Sequence, residues 1–176
     1  MNNVLVVIDM QNDFIDGSLG SKEAVAIVPN VVEKVKNFNG MVLYTRDTHL
    51  DNYLHTLEGT YLPVSHCIKG SHGWQLHEQL ECLRITSPID KNGFGSIQLG
   101  EYLKDINKKT PITSITLVGV CTDICVISNA MILKAFLPET NIIVDASCCA
   151  GVTKETHKNA LLAMKQCQII IENEEA

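Results

Sequence analysis

The stretch Ile115 to Val126, ITLVGVCTDICV, constrains the fold more than any other. Ile115, Leu117 and Val118 read as a buried strand, Gly119 permits backbone angles that other residues resist, and a polar turn then feeds a second apolar segment. Thr122 or Asp123 is expected to cap a helix beginning near Ile124, which puts Cys125 in its first turn. Unpaired amides and the positive end of the helix dipole favour thiolate over thiol at that position. The alternative is a small buried hydrophobe, the commoner fate of a free cysteine, so a reactive Cys125 requires partners from elsewhere in the chain.

The same strand-then-helix grammar recurs along the sequence. Val4 to Ile8 is a continuous aliphatic run ending at Asp9, as expected of a central parallel strand buried on both faces. A glycine-containing loop follows, and Ala24 to Phe38 carries apolar residues at helical spacing. Gly40 to Thr45 gives a second strand that delivers Arg46, Asp47, Thr48 and His49. The following stretch has weak periodicity, and this part of the chain, from His49 on, holds five of the six histidines; long irregular segments of this kind are usually functional. Arg84 to Ile89 reads as a third strand leading to Asp90 and Lys91, and Ser96 as the cap of a helix through Asn107. Ile112 to Val118, Asn141 to Asp145 and Gln168 to Ile171 complete the strands, with helices to Leu137 and over Thr153 to Gln166, before an acidic tail expected to fray. This alternation predicts a single-domain α/β fold: a doubly wound, Rossmann-like, mostly parallel sheet with helices on both faces.

Composition narrows the partners. With 176 residues and 45% hydrophobic content, one domain spanning 1–176 can bury an adequate core. The net charge of −6 is dispersed and no basic cluster exceeds pairs such as Lys108 and Lys109, which argues against nucleic acid and anionic membrane and for a small-molecule ligand. The chain runs almost at once into Val4 to Ile8, too short for a secretory signal or a membrane span, so a cytoplasmic location is expected. Seven cysteines without paired CxxC spacing suggest neither a disulfide framework nor a zinc finger.

Three strand ends therefore carry chemistry: Asp9, Lys91 and Cys125. A carboxylate beside a thiol can take its proton, and an ammonium beside both favours the charged forms. Together they would make a cysteine hydrolase. Separately, Asp9 could cap a turn, Lys91 could be solvated and Cys125 could be core.

The chain resembles the isochorismatase-like cysteine hydrolase superfamily, and within it most closely the nicotinamidases and pyrazinamidases. The matching pieces are V-x-x-D-M-Q-N-D-F at Val6 to Phe14, T-R-D-T-H at Thr45 to His49, H-C-I-K-G at His66 to Gly70, D-K-N-G-F-G-S at Asp90 to Ser96, and G-V-C-T-D-I-C-V at Gly119 to Val126. Five motifs in the family's order make a specific signal. The resemblance implies a triad of Asp9, Lys91 and Cys125, with Asp9 as proton shuttle and Lys91 as electrostatic support. It implies an oxyanion hole from the backbone amides of Cys121 and Cys125, with a non-proline cis bond at Val120-Cys121, and Phe14 against one side of a substrate ring. It also implies a divalent metal held by Asp47, His49 and His66, a set suited to Zn²⁺ and tolerant of Mn²⁺ or Fe²⁺, with His55, Glu58 or water as fourth ligand. A homo-oligomer is expected on the same ground.

One departure from the family's pattern stands out: many nicotinamidases carry a tryptophan three residues before the histidine ligand, and this chain has Pro63, preceded by Leu62 and Tyr61. The expected activity is nicotinamide hydrolysis to nicotinate and ammonia through a thioester on Cys125. The alternatives are a related cysteine hydrolase acting on another small amide or an N-carbamoyl compound, and a non-enzymatic redox or metal-binding protein using the same fold and its seven cysteines. His72, His77 and His157 read as surface or packing residues.

Overall fold

The computed structural model describes residues 2–174. Six strands, β1 (Asn3–Ile8), β2 (Met41–Asp47), β3 (Ile89–Lys91), β4 (Ser114–Val120), β5 (Asn141–Ala150) and β6 (Ile170–Glu172), form one parallel sheet in the order β3-β2-β1-β4-β5-β6. The chain winds outward from β1 in one direction and from β4 in the other. The carboxyl ends of β1 and β4 therefore flank the point where the winding reverses, and in open α/β sheets a crevice opens there.

Alternation along the strands explains the layering. Val4, Val6 and Ile8 of β1 pack with Ile115 and Leu117 of β4 against the helices Ile97–Lys109, Ile127–Phe136 and Lys154–Gln166. Leu5 and Val7 point the other way, onto Val28 and Val31 of the Lys22–Asn37 helix. That second face is completed by Leu76 and Leu80, from the long segment between β2 and β3. Burying each such aliphatic side chain is worth roughly 1.5–3 kcal/mol, so the central strands carry the stability while their ends remain available for chemistry.

The helix starts follow their caps: Ser21, Ser96 and Thr153 accept hydrogen bonds from the amides of Ala24, Leu99 and Thr156. Gly119 has φ +121°, and a Cβ there would lie 2.1 Å from the Ile8 carbonyl oxygen, so only glycine lets β4 approach β1 at this level.

Two expected elements differ. The third strand spans only Ile89–Lys91, because Pro88 offers no amide for a ladder and Arg84 folds back onto Glu81 and the Thr86 carbonyl. Its three residues pair with the end of β2, setting Lys91 directly against Asp47. The turn after β4 is not capped by Thr122 or Asp123. Residues Thr122–Val126 form one wide helical turn before the Ile127–Phe136 helix; Thr122 Oγ1 lies 2.8 Å from His157 Nδ1, and Asp123 accepts from the Val152 amide at 3.1 Å. Of the acidic tail, Glu174 pairs with Lys165, and residues 175–176 lie outside the described residues.

The edge strand β6 is latched through Asp145, which is buried and takes Lys34 Nζ at 2.6 Å, Ser147 Oγ at 2.7 Å and Asn173 Nδ2 at 3.0 Å. Burial alone would raise its pKa, but these donors outweigh burial and hold it below the ordinary carboxylate value. A depressed folded-state pKa gives stability that is present above the unfolded pKa and lost as pH falls through the folded one. Asp145→Asn should therefore lower the urea midpoint at pH 7, and the gap to wild type should narrow as the pH is taken below the ordinary carboxylate pKa in parallel unfolding titrations.

Candidate active site

Asp9 follows β1 with no solvent exposure and φ +49°, a left-handed conformation costing an L-residue about 1–2 kcal/mol. The bend aims its carboxylate along the sheet edge, where Thr45 Oγ1 donates to Oδ1 at 2.7 Å. Lys91 Nζ lies 2.7 Å from Asp9 Oδ2, 3.3 Å from Asp47 Oδ1, 3.1 Å from the Gly93 carbonyl and 3.5 Å from Cys125 Sγ. The contact with Asp9 Oδ2 is an ion pair off the hydrogen-bond axis, so that buried oxygen receives no in-line donor. Three separated segments thus bring a carboxylate, an ammonium and a thiol together, with Cys125 only 4% exposed.

Burial, reinforced by the Asp9 charge, pushes the Cys125 thiol well above its ordinary pKa, with Lys91 opposing. Burial also raises Asp9, against the pull of Lys91. For Lys91 burial acts downward, but the facing carboxylates of Asp9 and Asp47 win and keep it firmly ammonium. The resting arrangement is a neutral thiol close to a carboxylate of raised pKa.

Next to this cluster is a second one. Asp47, His49, Glu58 and His66 each present a ligand atom, all within 4.8 Å of one another. Asp47 Oδ2 is 2.9 Å from His49 Nε2 and 3.5 Å from His66 Nε2, and Glu58 Oε1 is 3.6 and 3.7 Å from the same nitrogens. Two carboxylates and two imidazoles suit a divalent cation such as Zn²⁺. His66 Nδ1 lies 2.9 Å from the Val64 carbonyl, which leaves Nε2 to face inward. Burial would raise the Asp47 pKa, yet His49, His66 and Lys91 outweigh it and hold the carboxylate ionised.

Between the two candidates for fourth ligand, the structure brings in Glu58 and leaves His55 exposed. Thr56 caps the short Leu57–Tyr61 helix that carries Glu58, and Tyr53 Oη donates to the Leu62 carbonyl at 2.9 Å, closing the turn. The Tyr53 ring sits 4.6 and 4.9 Å from the His49 and His66 rings, and the Phe14 ring lies 5.5 Å from His66. Cys121 follows a cis peptide bond at Val120-Cys121, and its carbonyl accepts from the amides of Ile124 and Val126.

Sequence reasoning missed several supports. Gln11 is fully buried; its Oε1 accepts from the Asp47 amide at 2.7 Å and its Nε2 donates to the Asp47 and Trp74 carbonyls, both at 2.9 Å. Asp13 accepts from the Cys67 amide at 2.7 Å, fixing the loop that carries His66. Both lie inside the stretch Asp9 to Phe14, but no spacing rule marks which of its polar side chains point inward. His157, read as a surface or packing residue, reaches Thr122 in the turn that holds Cys125. His72 is exposed and His77 half-buried, both away from the cluster.

The fold and this edge define a class: a parallel α/β protein with an ammonium-flanked thiol and a carboxylate-imidazole cluster at the winding reversal. The chain belongs to the isochorismatase family, whose Isochorismatase domain matches residues 3–175, and it is a hydrolase. It is 25% identical over 207 residues to the nicotinamidase of Schizosaccharomyces pombe, covering 97% of this chain and 92% of that one. It is 23% identical over 180 residues to the nicotinamidase/pyrazinamidase of Mycobacterium tuberculosis, covering 94% and 95%. Among solved structures, the nicotinamidase/pyrazinamidase PncA of Bacillus subtilis is similar at 25% identity and TM-score 0.81, covering 98% of this chain and all of that one, 100%. The fold is also shared with the pyrazinamidase of Pyrococcus horikoshii in complex with zinc, at 24% identity and TM-score 0.77 over 97% and 98% of the chains.

Because Lys91 is the group that lowers the Cys125 pKa, its removal must drive that pKa higher still. Lys91→Met should slow iodoacetamide alkylation of Cys125 at pH 8 by roughly tenfold or more, a shift of one pKa unit being worth that factor in thiolate. Peptide mass mapping of the labelled protein, with exposed Cys82 and Cys167 as internal references, reads the effect.

Proposed function

We propose that this hydrolase is a nicotinamidase, converting nicotinamide to nicotinate and ammonia through a thioester on Cys125. The observation that carries the reading is the buried Lys91 ammonium, 2.7 Å from Asp9 and 3.5 Å from Cys125. The curated relatives named as nicotinamidases, which align over nearly the whole chain, support the substrate class.

In this mechanism Asp9 takes the Cys125 proton as sulfur attacks the carboxamide carbon, and the π electrons move onto oxygen. The backbone amides of Cys121 and Cys125 hold that oxyanion. On collapse the C–N bond breaks, Asp9 returns the proton to nitrogen, and ammonia leaves. Water, deprotonated by Asp9, then attacks the thioester; the C–S bond breaks and the proton returns to sulfur, restoring the thiol. Lys91 stays cationic throughout and balances the negative charge passing between Asp9 and Cys125. Phe14 packs against the substrate ring.

Asp47, His49, Glu58 and His66 would hold a divalent metal, Zn²⁺ by the chemistry of the donor set; when bound it supplies a Lewis-acid anchor that orients the substrate. The zinc in the Pyrococcus pyrazinamidase structure supports that choice. The family match over residues 3–175 supports one domain, and seven free cysteines support a reducing, cytoplasmic setting. Among the described residues no helix is long and apolar enough to cross a membrane. A homo-oligomer remains part of the reading on family resemblance.

Ammonia release from nicotinamide tests the proposal. Wild type should turn nicotinamide over, and Cys125→Ala should abolish turnover with an unchanged circular dichroism spectrum; no ammonia from millimolar nicotinamide would overturn the assignment. A second reading, hydrolysis of another small amide or an N-carbamoyl compound, is favoured by Pro63 at the family's tryptophan position, where the neighbouring Tyr61 is 84% exposed. A panel of carboxamides and carbamoyl compounds ranked by kcat/KM against nicotinamide separates the two. The non-enzymatic redox reading is set aside because the chain belongs to a hydrolytic family.

Equilibrium dialysis against Zn²⁺ should find one tight site per chain. His49→Ala and Glu58→Gln should each weaken it, roughly tenfold or more for the imidazole, whereas His55→Ala should leave it unchanged. Equal weakening by His55→Ala would contradict the ligand set.

A further inference from the structure

The fully buried polar side chain of Asn129 is unused by the mechanism. Asn129 lies one helical turn after Cys125 with no solvent exposure, and all of its hydrogen-bonding groups are engaged. Its Nδ2 donates to the Cys125 carbonyl at 2.8 Å and to the Phe94 carbonyl at 3.1 Å, and its Oδ1 accepts from the Ser96 amide at 3.0 Å.

Those partners belong to two segments. Cys125 lies in the wide turn after β4; Phe94 and Ser96 lie in the loop leading out of β3, one and three residues beyond Gly93, whose carbonyl accepts from Lys91 Nζ at 3.1 Å. That loop rests against the Ile127–Phe136 helix closely enough that a Cβ on Gly95 would meet Ile132 Cδ1 at 2.4 Å. The bonds close a circuit: Cys125 backbone to Asn129, Asn129 to the Phe94 carbonyl, along the chain to Gly93, from Gly93 to Lys91 Nζ, and from Nζ to Cys125 Sγ at 3.5 Å.

We propose that Asn129 is a positioning residue that fixes the Cys125 thiol at its working distance from the Lys91 ammonium by tying the nucleophile turn to the lysine loop. The inference rests on the reading of Cys125 as nucleophile. An amide is suited to the task because it donates twice and accepts once in one rigid plane. A hydrophobic side chain of the same size would fill the space and leave three buried backbone groups without this partner. The Lys91–Cys125 contact is the longest around the ammonium, so it is the one that a small slip between the two segments would break first.

The test uses Asn129→Ala and Asn129→Ser. Serine can still bond back to the Cys125 carbonyl four residues earlier but is too short to reach Phe94 and Ser96, so it keeps the helix while cutting the bridge, and it decides the matter if alanine fails to fold. Measured well below each variant's own thermal midpoint, kcat for nicotinamide should fall about tenfold or more with KM within about threefold, as expected when reacting groups are misplaced rather than lost. Iodoacetamide labelling of Cys125, read by peptide mass mapping against Cys82 and Cys167, should slow about fivefold or more. A folded variant with wild-type kcat, or one whose kcat falls while Cys125 labelling is unchanged, overturns the proposal. The labelling arm needs no substrate. If Cys125→Ala turns over normally, the nucleophile reading has failed; if Cys125→Ala is inactive while the Asn129 variants match wild type, only this inference has.

Discussion

The site depends on one buried cation. Removing an ammonium from water costs several kcal/mol, and only close opposite charge can repay that cost. Lys91 obtains it from Asp9 and Asp47, each within 3.3 Å. Those two carboxylates come from different strands, so the ion cluster fastens β1, β2 and β3 at their carboxyl ends, where β3 contributes only three ladder residues of its own. A three-residue edge strand is a weak element. Its ladder to β2 is accompanied by two ion pairs, Lys91 with Asp47 and Asp90 with Arg46.

The cluster also shows why chemistry gathers at this edge. At the reversal between β1 and β4 the connecting chains leave for opposite faces, so the strand ends are not roofed by a helix. Asp9 and the Cys121 to Cys125 turn occupy those two ends, and the ladder from β2 to β3 brings Asp47 and Lys91 alongside. Asp47 is shared: one oxygen faces Lys91 and the other the two histidines. The proposed metal cluster and the proposed triad are therefore electrostatically joined through one carboxylate, and charge placed on one is felt at the other.

Most of this was readable from the chain, for a definable reason. A short, β-branched aliphatic run such as Val4 to Ile8 fits a doubly covered strand, and Asp9 immediately after it then falls at the strand's carboxyl end. Strand ends marked the three candidate groups, Asp9, Lys91 and Cys125, because a position at the end of a strand is local in sequence. What could not be read depends on contacts distant in sequence. Glu58 and His55 are equally placed along the loop, and only the Tyr53 to Leu62 closure turns one inward. Lys91 was expected beyond the third strand and lies within it, since Pro88 and the folding back of Arg84 delay the strand's start. Thr122 and Asp123 were expected to cap a helix, yet their side chains are drawn to His157 and Val152 of a segment some thirty residues later. Gln11 gave no signal because glutamine has no characteristic spacing when it braces a backbone.

Burial of the thiol bears on how such a site would work. A cysteine pushed far above its ordinary pKa is a poor nucleophile toward chance oxidants and electrophiles, which protects it at rest. The same burial strengthens Asp9 as a base, because the desolvation that disfavours the thiolate also disfavours the carboxylate. The two effects oppose each other in the proton transfer, and the remaining difference is set by Lys91, which faces both atoms. Its charge does not move during the proposed reaction; negative charge passes from the Asp9 oxygen to the Cys125 sulfur within reach of the same Nζ. The fixed ammonium thus stabilises both ends of the transfer and needs no reorganisation between them, which is how a preorganised charge lowers a barrier in a site that excludes water.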